Sequence, residues 1–283
     1  MNFQLPYRSP RTADLDSPGD IKKYERIINP FSQAARDVFA LMATQPPPDL
    51  KILMAAFIDS QVASGNWSLI DCFQFYAMDT AANAVIDWKG NSNGTLINSP
   101  TFDAYDFIQT NGSSSRIDSG FVPSADGVNF TQNDCLMGVY IISDDDDQAN
   151  DYYAFGGVAT AQLGVLYFQV ANSLRYRVNA SAVSTTAITS FNANKLYSIG
   201  RENSSAIQKL YEGSTQVDSE ADASSGICSE EISIGCRNAN ATRKDFMAGK
   251  YVCYYAAAGN GNFDLADFNT NLNTLITNVA ALG

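Results

Sequence analysis

Four consecutive aspartates, Asp144 to Asp147, followed by Asn150 and Asp151 in SDDDDQANDYY, make the densest group of oxygen ligands in the chain. Hard carboxylate and amide oxygens on a loop suit calcium, which takes about 6–8 oxygen ligands. Asp144, Asp146 and Asp151 are the candidate calcium ligands. The spacing lacks the glycine and closing glutamate of an EF-hand, and unpaired like charges equally favour a solvated loop, so both readings stand. Beside this group, Asn150, Tyr152 and Tyr153 combine an amide with aromatic rings, and Asn238 with Asn240 repeats amide chemistry in a second loop-like segment. An exposed ring stacks on a sugar while amides bond its hydroxyls. Asn150, Tyr152, Tyr153 and Asn238 are therefore candidate glycan-binding residues, with packing in a sandwich core or edge as the alternative for each tyrosine.

Catalytic chemistry finds less support. Glycoside hydrolysis needs two carboxyl groups about 5–9.5 Å apart across the scissile bond. Glu230 and Glu231 are adjacent, so on one strand they point to opposite faces. Glu220 and Asp222 could share a face, but the surrounding SEADASSG reads as a loop. The chain has no histidine, which removes the usual base for a serine or cysteine nucleophile. No Gly-x-x-x-x-Gly-Lys loop is present. The expectation is a non-enzymatic protein with no catalytic residues and no cofactor apart from the calcium candidate.

Eighteen basic residues against thirty acidic ones give a net charge of −12, which repels a phosphate backbone. Arg175, Arg177, Arg201 and Arg237 are scattered along the sequence, so no nucleic-acid partner is expected. The five cysteines, Cys72, Cys135, Cys228, Cys236 and Cys253, show no metal-type spacing. Cys135 and Cys253 lie in apolar runs where a thiol behaves as a small buried hydrophobe, although an odd count also permits an interchain disulfide outside a cell. Runs such as 135–142 and 163–170 are too short to span a membrane. The start, MNFQLPYRSPRTADLDSPGD, lacks an apolar signal core, so synthesis and folding in a cytoplasm are expected, with release by another route such as lysis.

These residues need a scaffold to place them. Residues 1–30, with Pro6, Pro10, Pro18 and Pro30, read as an extended arm, either unstructured or laid on a partner. Residues 31–66 read as a helical hairpin. Phe31, Ala35, Val38 and Met42 recur at helical spacing, and Asp49 is placed to cap a second helix carrying Leu50, Leu53, Phe57 and Val62. Residues 67–262 are β-like: Leu174, Tyr176 and Val178 alternate with Arg175, Arg177 and Asn179, and Glu212-Gly213 turns a hairpin. Residues 263–283 form a helix capped by Asp264, with Leu265, Phe268, Leu272, Leu275, Ile276 and Val279 in one stripe packed on the sandwich.

The short strands at Asn194–Leu196, Ile207–Gly213, Ile232–Gly235 and Phe246–Tyr255 resemble the closing strands of a laminin-G-like, concanavalin A-like jelly roll. The segment 85–124 resembles the opening of laminin-G-like domains in bacteriophage virion proteins. Its matching residues are Trp88 and Gly90, then Asn98, Ser99, Pro100 and Phe102, then Gly112, Ser113, Ser114, Asp118, Gly120 and Phe121. The resemblance runs from about Phe31 to the C-terminus and implies a mainly β jelly-roll sandwich. Laminin-G-like domains often carry calcium at a sandwich edge, which bears on the aspartate loop. The Glu-x-Asp-x-(x)-Glu strand motif of glucanases with this fold is absent, and no legume-lectin ligand pattern is recognisable.

The resemblance further implies a virion structural protein, assembled in a host cytoplasm and acting as capsid decoration or cement, or as a head or tail appendage. Residues 1–66 would attach it to other capsid or tail subunits, as a homo-oligomer with a trimer among the arrangements, and a surface glycan is a further expected partner. The alternative is a carbohydrate-binding lectin or host-receptor-binding tail module. A glycan-cleaving enzyme ranks third.

Overall fold

In the computed structural model, residues 30–144, 152–159, 162–169, 173–180, 184–187 and 192–283 are described. They form a mainly β fold with two sheets, of 8 and 9 strands, and five α-helices. The jelly-roll expectation holds at this level.

The first helix, α1 (Gln33–Ala40), starts where Ser32 accepts a hydrogen bond from the Ala35 N–H, and it buries Ala35, Val38 and Phe39. The second, α2 (Pro48–Ser64), corrects two sequence expectations. Asp49 is not its cap: Pro47 holds that position, Pro48 opens the helix and Asp49 lies in the first turn. Proline's fixed φ and missing N–H already suit the first helical position. Val62 is not on the buried face either but 48 % exposed, whereas Leu50, Met54, Phe57, Ile58 and Gln61 are buried. The C-terminal helix spans Leu265–Ala280, and Asp264 accepts its Asp267 N–H at 2.9 Å. Two four-residue helices, α3 (Ala81–Ala84) and α4 (Pro123–Asp126), lie between, so the C-terminal helix is α5.

The first sheet runs β13 (Thr215–Ala221), β12 (Ile207–Glu212), β11 (Lys195–Arg201), β6 (Cys135–Asp144), β17 (Gly249–Ala257), β4 (Phe107–Gln109), β3 (Thr101–Asp103), with β1 (Ile70–Phe75) also paired to β17. It is covered on both faces. On one, Phe57 of α2 stacks on Phe73 of β1 at 5.3 Å and Phe268 of α5 meets Tyr255 of β17 at 4.8 Å. On the other, Tyr254 meets Phe155 of the second sheet at 6.3 Å. Neighbouring strand residues point opposite ways, so Tyr254 and Tyr255 serve the two layers separately. That double burial explains why YVCYYAA reads as a continuous apolar run.

The second sheet runs β10 (Ser184–Ala187), β9 (Ser173–Val178), β8 (Gln162–Gln169), β7 (Tyr152–Ala159), β14 (Ser233–Ile234), β5 (Arg116–Asp118), β2 (Thr95–Ile97). Beside β7 also lies β15 (Arg237–Ala239), itself paired with β16 (Thr242–Lys244). Leu174, Tyr176, Val178, Ile117, Ile234 and Phe155 face the core. With α2 and α5 on the first sheet and α1 packed on α2, the layers are helices, first sheet, second sheet. The far face of the second sheet carries no helical layer among the described residues.

The motif residues of the 85–124 segment are mostly scaffold. Trp88 sits among Phe57, Phe73 and Phe75. Next to it the Asp87 carboxylate accepts the backbone N–H groups of Phe73, Lys89, Asn91 and Ser92, tying that turn to β1. Asn98 and Ser99 take positive φ values of 56° and 53° just before Pro100, and Phe121 packs edge-on against Phe130. Asp118 differs, because its side chain bonds to charged groups on the uncovered face. Glu220, expected in a loop, lies in β13 and is exposed. All five cysteines are free and buried, and burial pushes the thiols of Cys135, Cys236 and Cys253 up to about 12.

Candidate functional site

Strand register decides which side chains share the uncovered face. Thr95 pairs with Asp118, Asp118 with Ser233 and Ser233 with Gly156, and through β8 the same row reaches Arg177. Partners in register stand on one face, and so do residues two apart on a strand. Arg116 therefore joins Asp118, and Arg175 joins Arg177. Tyr153 connects through β8 to Arg175 in the parallel row.

At the centre lies an ion-pair network. Arg116 donates from Nε to Asp118 Oδ1 at 3.0 Å and from Nη2 to Oδ2 at 3.2 Å. Ser233 Oγ donates to Asp118 Oδ1 at 2.7 Å, and Arg243 Nε reaches the same oxygen at 3.2 Å. Through Nη2, Arg243 also bonds Glu231 Oε2 at 3.0 Å, while Glu231 Oε1 accepts the Gly120 N–H at 2.9 Å. Gly120 is required there: its φ is +75°, and a Cβ would fall 2.4 Å from the Asn93 carbonyl oxygen.

The two carboxyl groups are displaced from their ordinary values in opposite directions. Burial pushes Asp118 up, but hydrogen bonds from Arg116, Ser233 and Arg243 outweigh it and hold the group below the usual aspartate value. Burial and then the Asp118 charge push Glu231 above the usual glutamate value, against the Gly120 N–H and the Arg243 and Arg116 charges. Divergent carboxyls suggest acid–base work. Here, however, both Asp118 oxygens are already bonded, and Arg243 clamps the pair together, leaving no carboxylate positioned to attack. The arrangement suits a rigid, pre-oriented polar surface.

A second arrangement lies nearby. Arg237 sits over the Tyr153 ring, its guanidinium carbon 4.9 Å from the centroid, and pairs with Asp245 at 2.5 Å. The Tyr153 N–H donates to the Asp245 carbonyl at 3.2 Å.

Of the sequence candidates, Asp144 is the last residue of β6, its backbone paired with Gly249. Asp146, Asn150 and Asp151 lie outside the described residues. Among the described residues no three histidine, cysteine, aspartate or glutamate side chains are grouped to hold a metal. Tyr152 and Tyr153 open β7, the first half-buried and the second buried with Arg237 across its ring. Asn238 is 2 % exposed on β15 and donates to the Glu231 carbonyl at 3.1 Å, while its own Oδ1 has no partner. Asn238 is paired with Gly157, four residues along β7 from Tyr153. Sequence reading missed Arg116, Ser233 and Arg243, passed over Glu231, and took Asp118 only as scaffold. The one local signal was the Arg-Ile-Asp alternation at 116–118, which puts opposite charges on one face.

No family model matches the chain, and no curated protein matches it. Among solved structures, the receptor-binding domain of a botulinum neurotoxin C/D mosaic serotype aligns with a TM-score of 0.55 at 12 % identity, covering 72 % of this chain and 51 % of that one. A Trypanosoma rangeli sialidase in complex with sialic acid aligns at 0.54 and 8 % identity, covering 90 % of this chain and 40 % of the other. The receptor-binding domain of botulinum neurotoxin D gives 0.50 at 9 % identity, covering 72 % and 52 %. The chain spans about half the length of these neighbours or less. At such identities the likeness shows a shared β-sandwich fold.

Proposed function

We propose that this chain is a non-enzymatic carbohydrate-binding module that uses the uncovered face of its second sheet as the ligand surface. The observation that carries the proposal is the network of Arg116, Asp118, Ser233, Glu231 and Arg243, held in fixed geometry on a face that carries no helical layer among the described residues. Pre-oriented polar groups lose little freedom when a ligand arrives, which is what a binding surface needs. Sandwiches of this shape also occur in receptor-binding domains and in a sialidase that holds sialic acid, which supports the reading by analogy. The bonded state of both Asp118 oxygens favours binding over hydrolysis.

The setting we propose is a virion, on the strength of the sequence resemblance across 85–124. Residues 1–66 would attach the module to capsid or tail subunits, and many copies would turn weak sugar contacts into useful avidity. A glycan array probed with the purified protein tests the binding reading. Saturable signal on a defined set of glycans is expected, and its absence across the array overturns the proposal.

A further inference from the structure

The chain has three Asn-Gly steps: Asn93-Gly94, Asn111-Gly112 and Asn260-Gly261. In such a step the glycine amide nitrogen can attack the asparagine side-chain carbonyl carbon, because glycine has no side chain to block the approach. The fold treats the three differently. At the first, the Gly94 N–H donates to the Val85 carbonyl at 2.7 Å and Asn93 Oδ1 accepts the Asp87 N–H at 3.0 Å, so both reacting groups are occupied. At the second, Asn111 Oδ1 accepts the N–H groups of Ser113, Ser114 and Ser115 at 3.0, 2.9 and 2.9 Å, which pins the side chain against the rotation that attack requires. At the third, Asn260 Oδ1 accepts only the Leu265 N–H, at 3.2 Å, and the Gly261 N–H has no partner among the described residues. Gly261 is exposed, with no atom beyond its chain neighbours within 4 Å of where a Cβ would stand, so water reaches this step freely.

We propose that Asn260 is a site of spontaneous deamidation, with water as the co-reactant, and that the fold protects Asn93 and Asn111 from the same reaction. Gly261 N bonds to Asn260 Cγ as the Cγ–Nδ2 bond breaks, and the side-chain nitrogen leaves as ammonia with the proton that Gly261 N gave up. Water then opens the cyclic imide. Opening at Cγ leaves aspartate at 260; opening at the main-chain carbonyl leaves isoaspartate, whose backbone runs through Cγ and is longer by a methylene. Either product adds a negative charge to a chain of net charge −12. The aspartate product keeps an oxygen for the Leu265 N–H and places its charge beside the first turn of α5, where the helix dipole favours an anion. The isoaspartate product lengthens the turn in which the Gly259 carbonyl accepts the N–H groups of Asn262 and Phe263, both at 3.0 Å. Phe263 packs on Tyr255 and Phe268, so this product loosens the entry to α5.

The test incubates the full chain in mildly alkaline buffer made with heavy-oxygen water and follows each Asn-Gly peptide by mass spectrometry. Conversion at Asn260 should run at least about fivefold faster than at Asn93 or Asn111, the factor that a further hydrogen bond of ordinary strength represents. Each conversion should take up one heavy oxygen. In the same chain unfolded in urea, the three sites should convert at similar rates. Gly261→Ala puts a methyl into open space at an unstrained backbone position, so it should suppress conversion at 260 and leave the thermal midpoint unchanged. Asn260→Asp should match or exceed the midpoint of the parent, while the isoaspartate fraction should melt below it. Equal conversion at the three sites of the folded chain overturns the proposal. So does the same ranking after unfolding, or an Asn260 that stays intact while the unfolded chain reacts. A lower midpoint for Asn260→Asp, or an isoaspartate fraction as stable as the parent, overturns the effects assigned to α5.

Discussion

Arg116 and Asp118, two residues apart on a three-residue strand, are joined side by side through two hydrogen bonds of 3.0 and 3.2 Å. Because residues two apart on a strand share a face, the pair needs no help from loops to be held in line. Ser233 and Arg243 then arrive from distant parts of the chain and fix the carboxylate from the other side. A three-residue strand held between β14 and β2 becomes the organising point of a largely shielded network.

Removing the central carboxylate should therefore cost more than a surface ion pair would. Asp118→Ala leaves Arg116 and Arg243, both largely shielded, without their shared partner. A loss of about 3 kcal/mol is expected, in the range for one partner of a buried pair. Chemical denaturation reads it directly, and a loss under about 0.5 kcal/mol would show the network to be merely superficial.

The opposite pKa directions give a pH order. Glu231 is raised, so its contribution to stability is fully present below the unfolded glutamate pKa and is lost as pH rises through its higher folded value. Asp118 is lowered, so its contribution is present above the unfolded aspartate pKa and is lost as pH falls through its lower folded value. On acidification Glu231 takes its proton first, loosening Arg243 while the Arg116–Asp118 pair persists. Carboxyl-carbon NMR titration should give a Glu231 midpoint above that of Asp118, and the reverse order contradicts the assignment.

Arg201 is fully buried and donates to the carbonyls of Val178, Ser204 and Asp222, joining the ends of β9 and β11 to the chain beyond β13. Arg201→Met keeps much of the volume but strands three carbonyls, each costing about 1–3 kcal/mol if left dry. The thermal midpoint should fall by ten degrees or more; a shift within two degrees would mean the carbonyls find other partners.

At Gly120 the positive φ and the nearby Asn93 carbonyl act together. Gly120→Ala should destabilise by about 2 kcal/mol, within the usual cost of a strained backbone position, and should also disturb the N–H that Glu231 accepts. A variant as stable as the parent would mean that the turn relaxes freely.

The fold was readable because its cues are local: the Leu174–Val178 alternation, the Asp264 cap and the Trp88–Phe121 punctuation each act within a few residues. The candidate face was not, because its members come from β5, β14 and β16, elements of two or three residues too short to show a period. The contact between Gly120 and Glu231 spans 111 residues, and arginines that look dispersed along the chain become neighbours only once the strand order is known. Asp49 was misplaced for a different reason: a triple proline before the helix already supplied its first position. The candidates Tyr153 and Asn238 were placed by composition, whereas burial depends on Arg237 and Glu231 packing beside them.

The most direct test of the central claim is hydrogen exchange on the full chain, with and without the glycan that binds best on the array. Slowed exchange concentrated in β5, β7, β9 and residues 231–245 is the predicted result. Protection confined to α2, α5 or the first sheet, with the second sheet unchanged, would contradict it.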